Sequence, residues 1–170
     1  MRTLVLGLGN EYAGDDGAGI LAVRALRDEL AGQADVVESA ASGLTLLDVF
    51  DGYDRAVVVD AIRTGRHPPG TIVELGLTEV GPVVAPSLHH AGIPELAAVA
   101  ERLGLGFPER TRVLAVEVAE PPTFGAPLSE PVAAALGELA RRVRAQVEDW
   151  DRAKGEPCTT ITPSARSSTA

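Results

Sequence analysis

Residues 4–20, LVLGLGNEYAGDDGAGI, decide the fold of this chain. The stretch opens with an apolar run, continues through a loop with two adjacent carboxylates, Asp15 and Asp16, and ends where a helical pattern begins. A near-continuous apolar run is typical of a strand that is buried on both faces of a parallel sheet. Gly7 and Gly9 permit positive φ angles and a close approach of another backbone segment. The stretch therefore predicts a strand, a loop and a helix, the arrangement in which α/β proteins place their sites.

The rest of the chain alternates between predicted strands and helices. Apolar runs or alternating patterns predict further strands at 35–38, 55–62, 71–75 and 112–118. Helical spacing predicts helices over 17–31, 44–50, 91–103 and 129–150. Ser129 and Pro131 mark the start of the last helix, as its cap and its first-turn proline.

This alternation predicts the fold class and the domain boundaries. We expect one α/β domain over residues 1–150, a three-layer αβα sandwich around a mostly parallel twisted sheet of about five strands. The strand at 71–75 is expected to be an edge strand that runs antiparallel to its neighbour. Residues 151–170, rich in Thr, Ser and Pro, are expected to form a disordered tail.

The composition limits the kinds of partner. The 170 residues are 45% hydrophobic and carry a formal net charge of −9, which suits one domain with an acidic surface. An acidic surface binds the nucleic-acid backbone poorly, so we expect no nucleic-acid partner. No apolar run reaches the ~20 residues that a membrane span needs, and no signal peptide opens the chain. We therefore expect a cytoplasmic protein without a membrane partner; the sequence does not fix the oligomeric state, and a monomer is our expectation.

Three side chains that are able to bind metals fall near predicted carboxyl ends of strands. Asp16 follows the first strand, Asp60 ends the strand at 55–62, and His89 lies in the loop before the helix at 91–103. In a mostly parallel sheet these loops meet at one edge, where ligands bind. Two carboxylates and one imidazole suit a borderline divalent ion such as Ni²⁺ or Zn²⁺ and leave positions open for water or substrate.

Each of these residues also has a purely structural interpretation. Asp15 or Asp16 could cap the helix that follows, and Asp15 is the better candidate for that role. Asp60 could accept hydrogen bonds from loop amides. His89 and His90 are adjacent, and only one of them can easily face the site. The sequence leaves both choices open, Asp15 against Asp16 and His89 against His90.

Other catalytic motifs are missing from the sequence. It has no His-Glu-x-x-His zinc helix, no Gly-x-Ser-x-Gly nucleophile elbow and no Gly-x-x-x-x-Gly-Lys phosphate loop. Tyr12 stands where a dinucleotide-binding fingerprint needs its third glycine. Cys158, the single cysteine, lies in the expected tail away from any histidine and is a poor nucleophile candidate. The lack of a standard nucleophile favours a role for a metal ion in any chemistry at this edge.

Four motifs resemble those of the [NiFe]-hydrogenase maturation proteases: LGLGN at 6–10, GDDGAG at 14–19, VDA at 59–61 and SLH at 87–89. The resemblance runs from residue 1 to about 147 and implies an endopeptidase. Its substrate would be the hydrogenase large-subunit precursor, from which it removes a C-terminal extension after nickel insertion.

The resemblance also implies the site residues and the metal. Asp16, Asp60 and His89 would be both the metal ligands and the catalytic residues. The nickel would arrive with the substrate as the recognition signal, and the resting site would be empty or hold another divalent cation such as Zn²⁺.

Two departures from the family pattern define the alternatives. Asp16 stands where many members have glutamate, and residues 38–41 read ESAA where the family often has Asp-Gly-Gly-Thr or Asp-Gly-Cys-Thr in a loop associated with substrate choice. The alternative function is a non-cleaving, metal-sensing assembly or binding module with the same fold. A second rival, peptidyl-tRNA hydrolase, shares the opening strand and Gly-Leu-Gly-Asn, but it needs an early histidine and this chain has none before His67.

Overall fold

The computed structural model describes residues 1–76 and 93–153. Its strands are β1 (Thr3–Leu8), β2 (Asp35–Ser39), β3 (Arg55–Ile62), β4 (Ile72–Gly76) and β5 (Arg110–Glu117). Its helices are α1 (Ala18–Arg24), α2 (Leu47–Phe50), α3 (Ile93–Leu103) and α4 (Glu130–Arg152), and 3-10 turns at Gly14–Gly17 and Gly43–Leu46 precede α1 and α2. The predicted tail lies outside the described residues from position 154 onward. No helix in the described ranges is long and apolar enough to cross a membrane.

The strands form one sheet in the order β2-β1-β3-β5-β4. β1 pairs in parallel with β2 and β3, and β3 pairs in parallel with β5, whereas β4 runs antiparallel to β5 at the end of the sheet. The predicted sheet, mostly parallel with one antiparallel edge strand, is confirmed. We call the side where the parallel strands end the carboxyl edge, marked by Leu8, Ser39, Ile62 and Glu117. The side where they begin is the amino edge, marked by Thr3, Asp35, Arg55 and Arg110.

Both faces of the sheet are buried, which gives the three layers. Alternate residues of a strand point to opposite faces, so Val57 and Val59 pack with α1 and α4, while Ala56 and Val58 pack with α2 and α3. The central strands β1 and β3 are buried at every position. This explains why their sequences are apolar throughout instead of alternating.

α1 lies unusually close to the sheet because glycines face each other across the contact. A Cβ atom on Gly7 would lie 2.7 Å from the carbonyl oxygen of Gly19, and one on Gly19 would collide with the carbonyl oxygens of Leu8 and Val59. Gly9 has a φ of 131°, so both roles expected of the first glycines, close approach and positive φ, occur. The close packing fixes the start of α1 beside the carboxyl edge.

Several predicted element bounds are wrong, and the largest error is at the end of α1. α1 ends at Arg24 instead of residue 31, and residues 25–33 continue as turns. In that segment several amides bond to the third residue back, as Leu26 does to Val23, so the regular helical ladder is lost. Leu26 and Leu30 nevertheless stay buried against the sheet, which is why their spacing resembled that of a helix. β5 starts at Arg110, two residues earlier than predicted.

Candidate functional site

Asp16 lies in the 3-10 turn between β1 and α1. It is 7% exposed. A Cβ atom on Gly9 would collide with the backbone oxygen of Asp16, so only glycine lets the end of β1 approach this turn. The turn also contacts β3. The sequence therefore folds Asp16 back against the carboxyl edge of the two central strands.

Asp60 lies on β3, two residues before the strand ends. The register pairs Gly7 with Val59, so Asp60 lies level with Leu8, the last residue of β1. Its side chain is fully buried, and one carboxylate oxygen accepts the Ala61 N–H at 2.8 Å. Asp60 shares the parity of Val58, which packs on the side of the sheet that α2 and α3 cover. Both predicted acidic residues thus occupy neighbouring positions at the carboxyl edge.

The predicted histidine ligand falls outside the described residues, as does its neighbour His90. His89 precedes α3, whose first residue, Ile93, is buried on the same face as Val58. Within residues 1–76 and 93–153, no three His, Cys, Asp or Glu side chains form a group that could hold a metal ion. The three-residue site therefore remains a prediction.

Asp15 does not cap the turn or helix that follows it, contrary to the structural role expected for it. One of its carboxylate oxygens accepts the backbone N–H of Ser129 at 2.6 Å and the other accepts the Ser129 hydroxyl at 2.8 Å. Ser129 occupies the N-cap position of α4, but its hydroxyl makes no cap bond to that helix. Asp15 supplies the cap instead, from a loop that is 114 residues away in sequence. Both oxygens of Asp15 are thus engaged in holding the start of α4.

Glu117 is a buried acidic residue at the carboxyl edge that sequence reasoning missed. It is 1% exposed. Its carboxylate accepts the N–H and the hydroxyl of Thr64 and the N–H of Gly65, each at 2.7 Å. These bonds hold the loop that follows β3. A glutamate that ends an apolar parallel strand was the available signal, since the carboxyl end of such a strand is where polar groups acquire a role.

The substituted loop at 38–41 begins with an ion-paired glutamate. Glu38 is the second-last residue of β2. Its carboxylate contacts Arg24 at 2.6 Å and Arg27 at 2.7 Å. Arg24 also reaches Glu11, at 2.8 Å. The hydrogen bonds from Arg24 lower the pKa of both glutamates below the usual value, and the same bonds raise the pKa of Arg24. Glu11 is exposed, yet it belongs to this ion-pair network.

Two exposed aromatic side chains lie beside the candidate site. The chain has only six aromatic residues, and Tyr12 and Phe124, with 64% and 82% of their surface exposed, are the ones that protrude. The Gly125 N–H donates to the Tyr12 carbonyl at 2.7 Å, so the two loops that carry these rings are joined. One loop contains Asp16 and the other follows β5. The carboxyl edge therefore presents apolar surface next to buried carboxylates.

The comparisons with known proteins agree on one family. The family model for hydrogenase maturation protease matches residues 20–146. The hydrogenase expression/formation protein HupD of Rhizobium leguminosarum bv. viciae is 33% identical over 136 residues, which are 77% of this chain and 66% of that protein. The hydrogenase 2 maturation protease of Escherichia coli (strain K12) is 30% identical over 152 residues, which are 81% of this chain and 92% of the relative.

A solved structure supports the same fold. The hydrogenase maturating endopeptidase HybD from E. coli superposes with a TM-score of 0.75 at 24% identity, over 88% of this chain and 94% of that one. The chain spans just under two thirds of the HupD relative and nearly all of the E. coli proteins. Since the family model matches well over half of the sequence, this chain belongs to the hydrogenase maturation protease family.

Proposed function

We propose that this protein is an endopeptidase that removes the C-terminal extension of a [NiFe]-hydrogenase large-subunit precursor after nickel insertion. Family membership supports the reaction class. The observation that carries the proposal for this chain is the pair of buried carboxylates, Asp16 and Asp60, on neighbouring elements at the carboxyl edge. We expect the reaction to take place in the cytoplasm, where the precursor would be assembled.

The donor chemistry at this edge fits a divalent cation. Asp16, Asp60 and Glu117 are the buried acidic residues in the described part of the chain, and all three lie at the carboxyl edge. Burying carboxylates near one another is unfavourable unless hydrogen bonds or cations compensate for it. Glu117 accepts three hydrogen bonds from the loop that follows β3. We assign Asp16 and Asp60 to nickel because the turn that carries Asp16 contacts β3, the strand that carries Asp60.

In our proposal Asp16, Asp60 and His89 bind the nickel that the precursor carries. A divalent ion polarises a carbonyl or lowers the pKa of a bound water, and either effect assists peptide hydrolysis. A buried carboxylate attracts a cation strongly, because charge is screened less there than in water. We propose that this attraction makes cleavage depend on nickel insertion.

We infer that the exposed aromatic pair contacts the precursor. Tyr12 and Phe124 flank the Asp16 turn, and aromatic side chains contribute a large share of contact energy at protein interfaces. Replacing both with serine is expected to raise KM for the precursor about tenfold and leave kcat nearly unchanged. Steady-state kinetics on purified precursor would measure this, and serine at Leu105, an apolar residue that is 50% exposed, is the control. A lower kcat at constant KM would contradict a docking role.

The alternative, a binding module that does not cleave, has one specific observation in its favour. Glu38 replaces the aspartate that the family often has in the loop after β2, and its carboxylate is already engaged by Arg24 and Arg27. A residue held in this way is less free to contact a partner. Stable binding of the nickel-loaded precursor without shortening would establish this alternative.

The decisive experiment compares two adjacent carboxylates. The chain is incubated with the nickel-loaded large-subunit precursor of its own organism, and shortening is followed by intact mass. Asp16→Asn is expected to abolish cleavage while thermal unfolding stays close to wild type. Asp15→Asn is expected to lower the unfolding temperature, because it weakens the link to Ser129, and to cleave well below that temperature. Cleavage by Asp16→Asn at the wild-type rate would overturn the proposal.

A further inference from the structure

We propose that Arg24 is a positioning residue that couples the loop carrying Asp16 to the end of β2. The first segment, residues 9–17, is called the Asp16 loop. The second segment, residues 38–42, comprises the last two residues of β2 and the three that follow it, and it is called the β2 loop. The inference rests on the proposed function in one respect only, that the Asp16 loop holds a reacting group. The coupling itself is a property of the free protein and is measurable without substrate.

A single guanidinium joins the two loops. Arg24 Nη1 donates to Glu11 Oε2 at 2.8 Å, while Nη2 and Nε donate to Glu38 Oε2 at 2.6 and 3.1 Å. Glu11 belongs to the Asp16 loop and Glu38 to the β2 loop. Arg24 is the last residue of α1, and helical side chains lean toward the helix N-terminus. Its side chain therefore reaches back toward the carboxyl edge and bridges the loops there.

The bridge continues into the backbone that places Asp16. A Cβ atom on Gly17 would lie 2.8 Å from the Glu11 Cα, so residue 11 packs directly against the residue that follows Asp16. On the other side, the Gly9 N–H donates to the Ser39 carbonyl at 3.2 Å, and Gly9 touches the Asp16 backbone. The β2 loop and the Asp16 loop thus meet through one backbone contact and one side-chain bridge. A shift at either end is transmitted to Asp16.

Arginine is the residue that this geometry requires. Its planar guanidinium presents several N–H groups in fixed directions and is able to hold two carboxylates at once. Lysine keeps the charge but offers a mobile point donor. The bridge also explains how the chain accommodates glutamate at position 38, since Glu38 is held by α1 and serves as an anchor for the β2 loop.

Arg27 provides a matched control. It donates to the other carboxylate oxygen of Glu38, Oε1, at 2.7 Å and to the Val36 carbonyl at 3.2 Å. Within the described part of the chain, Arg27 makes no hydrogen bond to Glu11 or to any other residue of the Asp16 loop. Removing Arg27 therefore takes away the same charge and a bond to the same glutamate without cutting the bridge.

The test is a double-mutant cycle read by amide hydrogen exchange on the free protein. Arg24→Gln, Glu38→Gln, the double variant and Arg27→Gln are compared with wild type. We expect Arg24→Gln and Glu38→Gln each to speed exchange in the Asp16 loop by roughly tenfold, the double variant to add nothing further, and Arg27→Gln to act on the β2 loop alone. Arg24→Lys should restore only part of the protection. An unchanged Asp16 loop in Glu38→Gln, or additive effects in the double variant, would overturn the coupling.

A kinetic comparison connects the coupling with the proposed function. Arg24→Gln should lower kcat for precursor cleavage by roughly tenfold with a smaller change in KM, because a misplaced reacting group costs rate more than binding. Arg27→Gln should keep the wild-type kcat. Equal kcat values for both variants would refute the positioning role. A wild-type protein that binds the precursor but leaves it uncut would refute the proposed function instead, and the exchange data would still decide whether Arg24 couples the loops.

Discussion

The two edges of the sheet bury charges of opposite sign. At the carboxyl edge the buried charged residues are acidic, namely Asp16, Asp60 and Glu117. At the amino edge the buried charged residue is Arg55, which is 1% exposed. Its Nη2 donates to Asp151 at 2.8 Å and to the Thr3 hydroxyl at 2.6 Å, and its guanidinium lies 5.5 Å from the centre of the Trp150 ring. In the described part of the chain, the amino edge thus buries a cation that is paired with α4, and the carboxyl edge buries acidic residues.

This difference separates a structural role from a binding role. The amino edge is neutralised by α4 of the same chain, so its ion pair ties the last helix to the sheet. Buried acidic residues at the edge where such sheets bind ligands are expected to serve a cationic ligand or to hold loops. Glu117 holds a loop, since it accepts three hydrogen bonds from the segment that follows β3. We therefore expect substitutions at the two edges to have opposite consequences.

The largest expected effect is that of Asp60→Asn at the carboxyl edge. Loss of a metal-binding carboxylate should reduce the rate of precursor cleavage by at least about a hundredfold. The urea midpoint should stay close to the wild-type value, because asparagine has nearly the same shape and is still able to accept the Ala61 N–H. Asp28→Asn, at an exposed position after α1, is the control for a change of net charge. A variant that is strongly destabilised yet active once folded would show that Asp60 has a structural role.

The second prediction concerns the amino edge, where we expect a substitution to lower stability and leave activity unchanged. Arg55→Met should keep the packing against Trp150 but leave Asp151 without its cation, and we expect it to lower the free energy of unfolding by about 3 kcal/mol. Urea unfolding would measure this loss, and cleavage per folded molecule should not change. Arg55→Met/Asp151→Asn should recover most of the stability. Two nitrogens of Arg55, Nε and Nη1, lack a hydrogen-bond partner among the described residues, so the double variant also removes buried unsatisfied donors.

The sheet could be predicted from sequence because its strands are buried on both faces. A strand such as β3, covered on both sides, has to be apolar at nearly every position, and that pattern is local. The same locality explains the errors. The pattern over residues 17–31 indicated correctly that Leu26 and Leu30 face the core. It did not indicate that the helix ends at Arg24. Burial is encoded in the spacing of side chains, and the helix bounds are not.

The candidate site could be predicted only where a local sequence pattern marks a residue. Asp16 and Asp60 are marked because the first follows an apolar strand and the second lies near the end of one. The bond between Asp15 and Ser129 could not be predicted, since the two residues are 114 positions apart and no local pattern links them. The bridge from Glu11 through Arg24 to Glu38 joins three segments in the same way. Long-range pairs of this kind arise from the packing of α1 and α4, which sequence periodicity does not encode.

The smallest expected effect is a pH dependence that belongs to the carboxyl edge. Arg24 lowers the pKa of Glu11 and Glu38 in the folded protein relative to the usual value of 4.5. Groups with a lowered folded pKa contribute stability that is present above the unfolded pKa and is lost as the pH falls through the folded one. The difference in urea midpoint between wild type and Arg24→Gln should therefore be largest near pH 6 and shrink toward pH 3. Both glutamates are partly solvated, so the difference should be modest and should decrease with added salt.

The control for this titration is a second ion pair far from the site. Arg144 on α4 contacts Glu29 at 2.8 Å, and both side chains are about half exposed. Arg144→Gln removes a charge of the same sign, so a pH dependence that stems from net charge alone would be the same in both variants. We expect the Arg24 variant to show the larger change between pH 6 and pH 3, because Arg24 hydrogen-bonds two carboxylates, whereas Arg144 hydrogen-bonds Glu29 and lies 3.9 Å from Glu148. Equal slopes would mean that the bridge between the loops adds nothing beyond an ordinary surface ion pair.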